Sequence, residues 1–123
     1  MSIHDEAATL ARSIFELRKR RARHLPEAAL SETAWNILLA LFVADADGRR
    51  TTGAEVIALA EVAASAGERW VRALHGEGLV IGDGSGNLDD IIALTPAGIS
   101  AVEACMIDAQ EFLQSRMARK AAA

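Results

Sequence analysis

The chain has 123 residues, 51% apolar and 24% charged, with 13 Lys and Arg against 17 Asp and Glu. That balance describes a globular chain of one-domain size rather than a disordered tail, and no apolar run approaches the roughly 20 residues that span a bilayer. A single cysteine, Cys105, excludes an internal disulfide; with no basic-then-apolar leader in view, the expected home is a reducing cytoplasm.

From residue 5 to 23, Ala7, Leu10, Ala11, Ile14 and Leu17 recur at helical spacing. His24-Leu25-Pro26 ends that helix, because the residue before a proline is pushed out of the α region. Ser31 caps a second helix whose Trp35, Leu38, Leu39, Phe42 and Val43 form a broad apolar stripe, broken at Asp45 to Gly48. Arg49 to Thr51 is short enough to add a strand to a small sheet. Thr52-Gly-Ala-Glu55 and Ser65-Ala-Gly-Glu68 both read S/T-x-x-E, the spacing of a reciprocal N-terminal cap. They predict helices over 53–60 and 65–75, the second stopping at Gly76 and Gly78.

On the 65–75 helix Trp70, Val71 and Leu74 face inward, while Ser65, Arg69 and Arg72 share the opposite face. Leu79-Val80-Ile81 and Ile91-Ile92-Ala93-Leu94 flank a loop rich in Gly, Asp and Asn, and read as a β-hairpin. Thr95-Pro96 opens a last helix carrying Ile99, Val102, Cys105 or Met106, Ala109, Phe112 or Leu113, and Met117. That stripe is too apolar for a helix projecting alone. A second copy of the chain is its simplest cover, with the first helix as companion.

Helix-turn-helix followed by a hairpin is the order of a winged helix, a fold used mostly to hold DNA. The expected class is therefore mainly α with a small β-hairpin (α+β), one winged-helix domain over residues 1–123. Its core is 31–95, and 5–23 and 96–117 are dimerisation helices. The charge is two-sided. Arg18, Lys19, Arg20, Arg21 and Arg23 cluster early, Arg49, Arg50, Arg69 and Arg72 surround the helix-turn-helix, and no Lys or Arg occurs from Ala73 to Ser115. Ser65 and Arg69 are the expected base readers, with Arg49, Arg50, Thr51 and Arg72 on the DNA backbone. The plainer reading of Arg72 is a surface pair with Glu68. The early basic cluster reads equally as a phosphate clamp or as a run of charge that is solvated or pairs with acids across a dimer. Leu10, Ile14, Ile99, Val102, Met106, Phe112 and Leu113 are the expected dimer contacts.

Several strings resemble the MarR-type winged-helix regulators: Arg18-Lys-Arg-Arg21, Ala34-Trp-Asn-Ile-Leu-Leu39, Arg69-Trp70, Glu77-Gly-Leu-Val80 and Leu94-Thr-Pro-Ala-Gly98. The resemblance runs from about residue 7 to 113. It implies a homodimer built from the first and last helices, a fourth helix in the major groove of double-stranded DNA, and an arginine at the wing tip in the minor groove. The wing departs from that pattern, because Gly82-Asp-Gly-Ser-Gly-Asn-Leu-Asp-Asp90 holds no Lys or Arg. Ala66 and Gly67 are also small for a reading helix. The alternative is a winged-helix protein-interaction module that has lost DNA binding.

Other chemistry is thinly supported. Asp83, Ser85, Asn87 and Asp89 alternate like calcium ligands, but Leu88 and Leu94 stand where that loop needs Gly and Glu. Cys105 has no basic neighbour in sequence to activate it, so a packed thiol is expected rather than a redox switch. The three histidines have no ligand spacing, no nucleophile–base pair is evident, and neither an enzyme nor a cofactor is expected. A small-molecule effector between Phe15, Trp35 and Phe112 is a third reading, against which each is a core residue.

Overall fold

The computed structural model describes residues 2–82 and 87–122, and its core is organised around one helix. That helix, α2 (Glu32–Ala46), follows α1 (Ile3–Arg20) and two 3-10 turns at Arg21–Arg23 and Glu27–Ala29. Ser31 accepts the Ala34 N–H at 3.1 Å and so satisfies one of the donors orphaned at a helix start. Ile37 and Leu38 are wholly buried and Leu41 is nearly so. Helix α2 packs against α3 (Gly53–Leu59), α4 (Ala64–Gly76), α5 (Pro96–Ala122) and the strand Ile91–Leu94. Leu25, Ala29, Val56, Leu74, Leu94 and Val102 complete the cluster.

Three short strands, β1 (Thr51–Thr52), β2 (Val80–Ile81) and β3 (Ile91–Leu94), form an antiparallel sheet in the order β1-β3-β2. This is the winged-helix arrangement that the chain order implied. The first helix gives way to a 3-10 turn at Arg21, and the last continues to Ala122 rather than stopping near 117. β1 holds Thr51 and Thr52 instead of Arg49 to Thr51.

Of the two predicted capping boxes, the first forms as written: Thr52 Oγ1 accepts the Glu55 N–H at 3.2 Å, and the Glu55 carboxylate reaches back to Thr52. The second does not form. Ala63 takes the extended position and α4 starts at Ala64, which puts Ser65 inside the helix without a capping role. The first turn of α4 instead closes on the Ala63 carbonyl, which accepts the Gly67 N–H at 2.8 Å.

The hairpin and α5 are locked at one junction, which explains the spacing of Glu77-Gly-Leu-Val80 and Leu94-Thr-Pro-Ala-Gly98. Thr95 Oγ1 donates to the Gly78 carbonyl at 2.6 Å and accepts the Gly98 N–H at 2.9 Å. The Thr95 N–H donates to the Leu79 carbonyl at 3.0 Å. Gly98 passes so close to that carbonyl that no side chain fits between them.

Candidate nucleic-acid interface

The helix pair α3–α4 is set by a close crossing. A Cβ on Gly67 would lie 2.6 Å from Ile57 Cγ2, so glycine here lets α4 press against α3. Gly67 is thus a packing residue and not a small member of a reading surface. Val71 and Leu74 bury the same side of α4. Ser65, Glu68, Arg69 and Arg72 are all exposed on the other side, as the i, i+4, i+7 spacing requires. The Arg69 guanidinium lies 5.8 Å from the centre of the Trp70 ring, at the outer limit of a cation–π contact.

The remaining expected DNA contacts are placed unevenly. Arg49 and Arg50 are exposed ahead of β1, with Arg49 Nη2 3.5 Å from Asp47 Oδ2. Thr51 is only 3% exposed, because its pairing with Ile92 turns its side chain to the inner face of the sheet. Its side chain is therefore not on a surface that could meet the DNA backbone. The wing loop is tied at its base, where the Gly53 and Ala54 N–H groups donate to the Asp90 and Leu88 carbonyls at 3.0 and 2.8 Å. The calcium-like positions Asp83 and Ser85 lie outside the described residues. Among those described, no group of three or more acids, His or Cys is arranged to hold a metal ion.

The early basic cluster is paired within the chain. Asp108, in the middle of α5, receives Arg20 Nη1 at 2.6 Å and His24 Nε2 at 2.9 Å, with Arg23 at 3.7 Å. Arg20 also lies over the Phe112 ring and pairs with Glu16. His24 first, then Arg20, hold the Asp108 carboxyl below its ordinary value. Asp108 in turn raises the Arg20 guanidinium. Arg21 lies over Trp35 and bonds Glu32 at 2.7 Å, which lowers the Glu32 carboxyl. Arg18 joins Glu32 at 3.3 Å. Arg18, Arg20, Arg21 and Arg23 thus have acidic partners within this chain, a pairing that the sequence placed across a dimer. Sequence alone did not reveal the Asp108 junction, although a lone acid inside the apolar stripe of α5 was its signal.

The terminal helices divide the expected dimer contacts into two sets. Leu10, Ile14 and Leu113 are 62%, 57% and 44% exposed, and Ile3, Phe15, Ile107 and Met117 extend the exposed apolar surface. Val102 and Phe112 are buried within this chain, and Ile99 and Met106 pack against its core. The α5 stripe is wide enough to serve both purposes, and these four residues face inward. A groove of about 780 Å³ opens between the free ends of α1 and α5, lined by Glu6, Leu10, Ser13, Arg116, Met117 and Lys120, among others. Phe15, Trp35 and Phe112 do not share one environment: Phe15 is exposed, whereas Trp35 and Phe112 lie beneath different arginines. Cys105 is buried and free, and burial pushes its thiol up.

No family model and no curated protein matches the chain. Solved structures do. MepR, a transcription regulator of the Staphylococcus aureus multidrug efflux pump MepA, aligns over 97% of this chain and 84% of its own, with a TM-score of 0.68 and 14% identity. A Pseudomonas aeruginosa protein assigned to transcriptional regulation aligns over 95% and 74%, with a TM-score of 0.64 and 21% identity. The multiple antibiotic-resistance repressor MarR of Listeria monocytogenes aligns over 98% and 84%, with a TM-score of 0.58 and 14% identity.

Proposed function

We propose, on the premise that this chain has the MarR-type winged-helix fold, that it is a DNA-binding transcription regulator acting as a homodimer. The observation that carries the reading is α4. It buries Gly67, Val71 and Leu74 and turns Ser65, Arg69 and Arg72 to solvent on a helix held across α3. A helix so placed fits a major groove, where an arginine recognises a guanine edge through two hydrogen bonds. Arg69 and Ser65 are the proposed base readers, and Arg72, Arg49 and Arg50 the proposed backbone contacts.

A second copy would cover Leu10, Ile14, Leu113 and Met117, and would place two α4 helices about one helical turn of DNA apart on a pseudo-palindromic site. Occupying such a site would block or recruit the transcription machinery.

The test is selection of bound fragments from a genomic library at near-physiological salt, with Arg69→Ala in parallel. A palindromic motif enriched by the wild type and relaxed in the variant is the expected result. Replacing Arg49 and Arg50 should instead weaken all sequences alike and flatten the salt dependence. No enrichment from a folded dimer would refute DNA binding and leave the acidic wing as a protein-docking element.

A further inference from the structure

Glu68 has no part in holding the fold. The capping box that would have used its carboxylate does not form, because α4 starts at Ala64 with Ala63 in the cap position. The first turn of α4 holds no acid, so Glu68 lies past the short reach of the helix dipole. Among the described residues no ion pair joins it to Arg72, four positions on, or to any other base. Its side chain is exposed on α4 beside Ser65, Arg69 and Arg72.

The spacing sets what that carboxylate can meet. Glu68 and Arg69 follow Ser65 at i+3 and i+4, so they stand side by side one turn along the helix. When such a helix enters a major groove by its N-terminal end, the two face base pairs within about two steps of each other, each step being about 3.4 Å. Their chemistry is opposite. Arg69 only donates, which suits the two acceptors of guanine, whereas Glu68 only accepts. The acceptor edges of guanine and thymine repel a carboxylate, which leaves the amino groups of cytosine and adenine. Adenine sets its N7 lone pair next to its amino group, against the second carboxylate oxygen. Cytosine has no acceptor on that edge.

We infer that Glu68 is a specificity-determining residue that accepts a hydrogen bond from cytosine N4, within about two base pairs of the guanine read by Arg69 in each half-site. This rests on the DNA-binding reading above. Where the cytosine is missing, the same charge opposes the phosphates with nothing to offset it, so Glu68 also weakens binding to every other sequence.

The experiment uses the full chain and an operator selected as above, with each position changed in turn to the other three base pairs. Equilibrium binding is measured for the wild type, Glu68→Ala and Glu68→Gln, with a non-specific duplex alongside. One cytosine in each half-site should be specified, and replacing it should cost the wild type about tenfold. Glu68→Ala should lose that preference, keep the guanine preference that Arg69→Ala relaxes, and bind the non-specific duplex more tightly. Glu68→Gln should move the preference from cytosine to adenine, because an amide pairs with adenine N6 and N7 together. Wild-type base preferences at every position in Glu68→Ala would overturn the inference while leaving DNA binding intact. Loss of the guanine preference in Glu68→Ala would overturn it too, since Glu68 would then act by orienting Arg69. Failure of the wild type to select any sequence overturns both readings.

Discussion

Gly98→Ala separates helix propensity from packing, because the two effects have opposite signs. Gly98 lies in the first turn of α5, where alanine is intrinsically favoured over glycine by about 1 kcal/mol. An added Cβ, however, would enter the van der Waals surface of the Leu79 carbonyl oxygen and lie 3.2 Å from its carbon. That carbonyl has little room to withdraw, since it accepts the Thr95 N–H and Leu79 is 5% exposed. Moving α5 instead would strain the 2.9 Å bond from the Gly98 N–H to Thr95 Oγ1. Overpacking costs about 1–3 kcal/mol and a lost cap about 1 kcal/mol, so a net destabilisation of about 1–3 kcal/mol is expected. Urea unfolding followed by Trp35 and Trp70 fluorescence, at fixed protein concentration, measures it. Gly76→Ala is the control. Nothing lies within 4 Å of its added Cβ, so it should be neutral or stabilising by up to about 1 kcal/mol. A Gly98→Ala protein as stable as the wild type would refute the argument that the carbonyl decides the sign.

Acid should destabilise the protein in a defined window. The Asp108 and Glu32 carboxyls are depressed, by His24 then Arg20 and by Arg21 respectively. Their contribution is therefore present above their ordinary values of 3.8 and 4.5 and lost as pH falls through the depressed ones. Urea midpoints between about pH 2 and 7 should show that loss, and Asp108→Asn should flatten it. If the proposed dimer forms through α1 and α5, Leu10→Lys with Met117→Lys should give a folded monomer by sedimentation. Val102→Ala should instead lower stability by about 2 kcal/mol at unchanged association when folded; the reverse pattern would exchange their assignments. Cys105, 4% exposed with its thiol raised by burial, should react with a thiol reagent only as fast as the native state opens. Immediate reaction would contradict that burial.

The element order was legible because its signals are local. Ser31, Thr52 and Thr95 are caps whose hydrogen bonds close within three residues, and Pro96 and Gly78 sit where backbone geometry favours them. Ser65 shows the limit of such signals. The string was right for a cap, but the helix starts one residue earlier, with Ala63 in the cap position. The outward face of α4 was readable for the same reason as the caps, since helical periodicity alone puts Ser65, Arg69 and Arg72 together.

What the amino-acid order determined by itself is therefore the succession of helices and strands, the faces of α4 and the acidity of the wing, all set by contacts within a few residues or by composition. Which apolar residues of α5 face its own core and which stay exposed, that Asp108 gathers Arg20 and His24, that Gly67 meets Ile57, and that Thr51 turns inward were decided only by tertiary structure. Each depends on partners that belong to different secondary-structure elements. The apolar period of α5 is compatible with more than one facing, and only the packed neighbours select one.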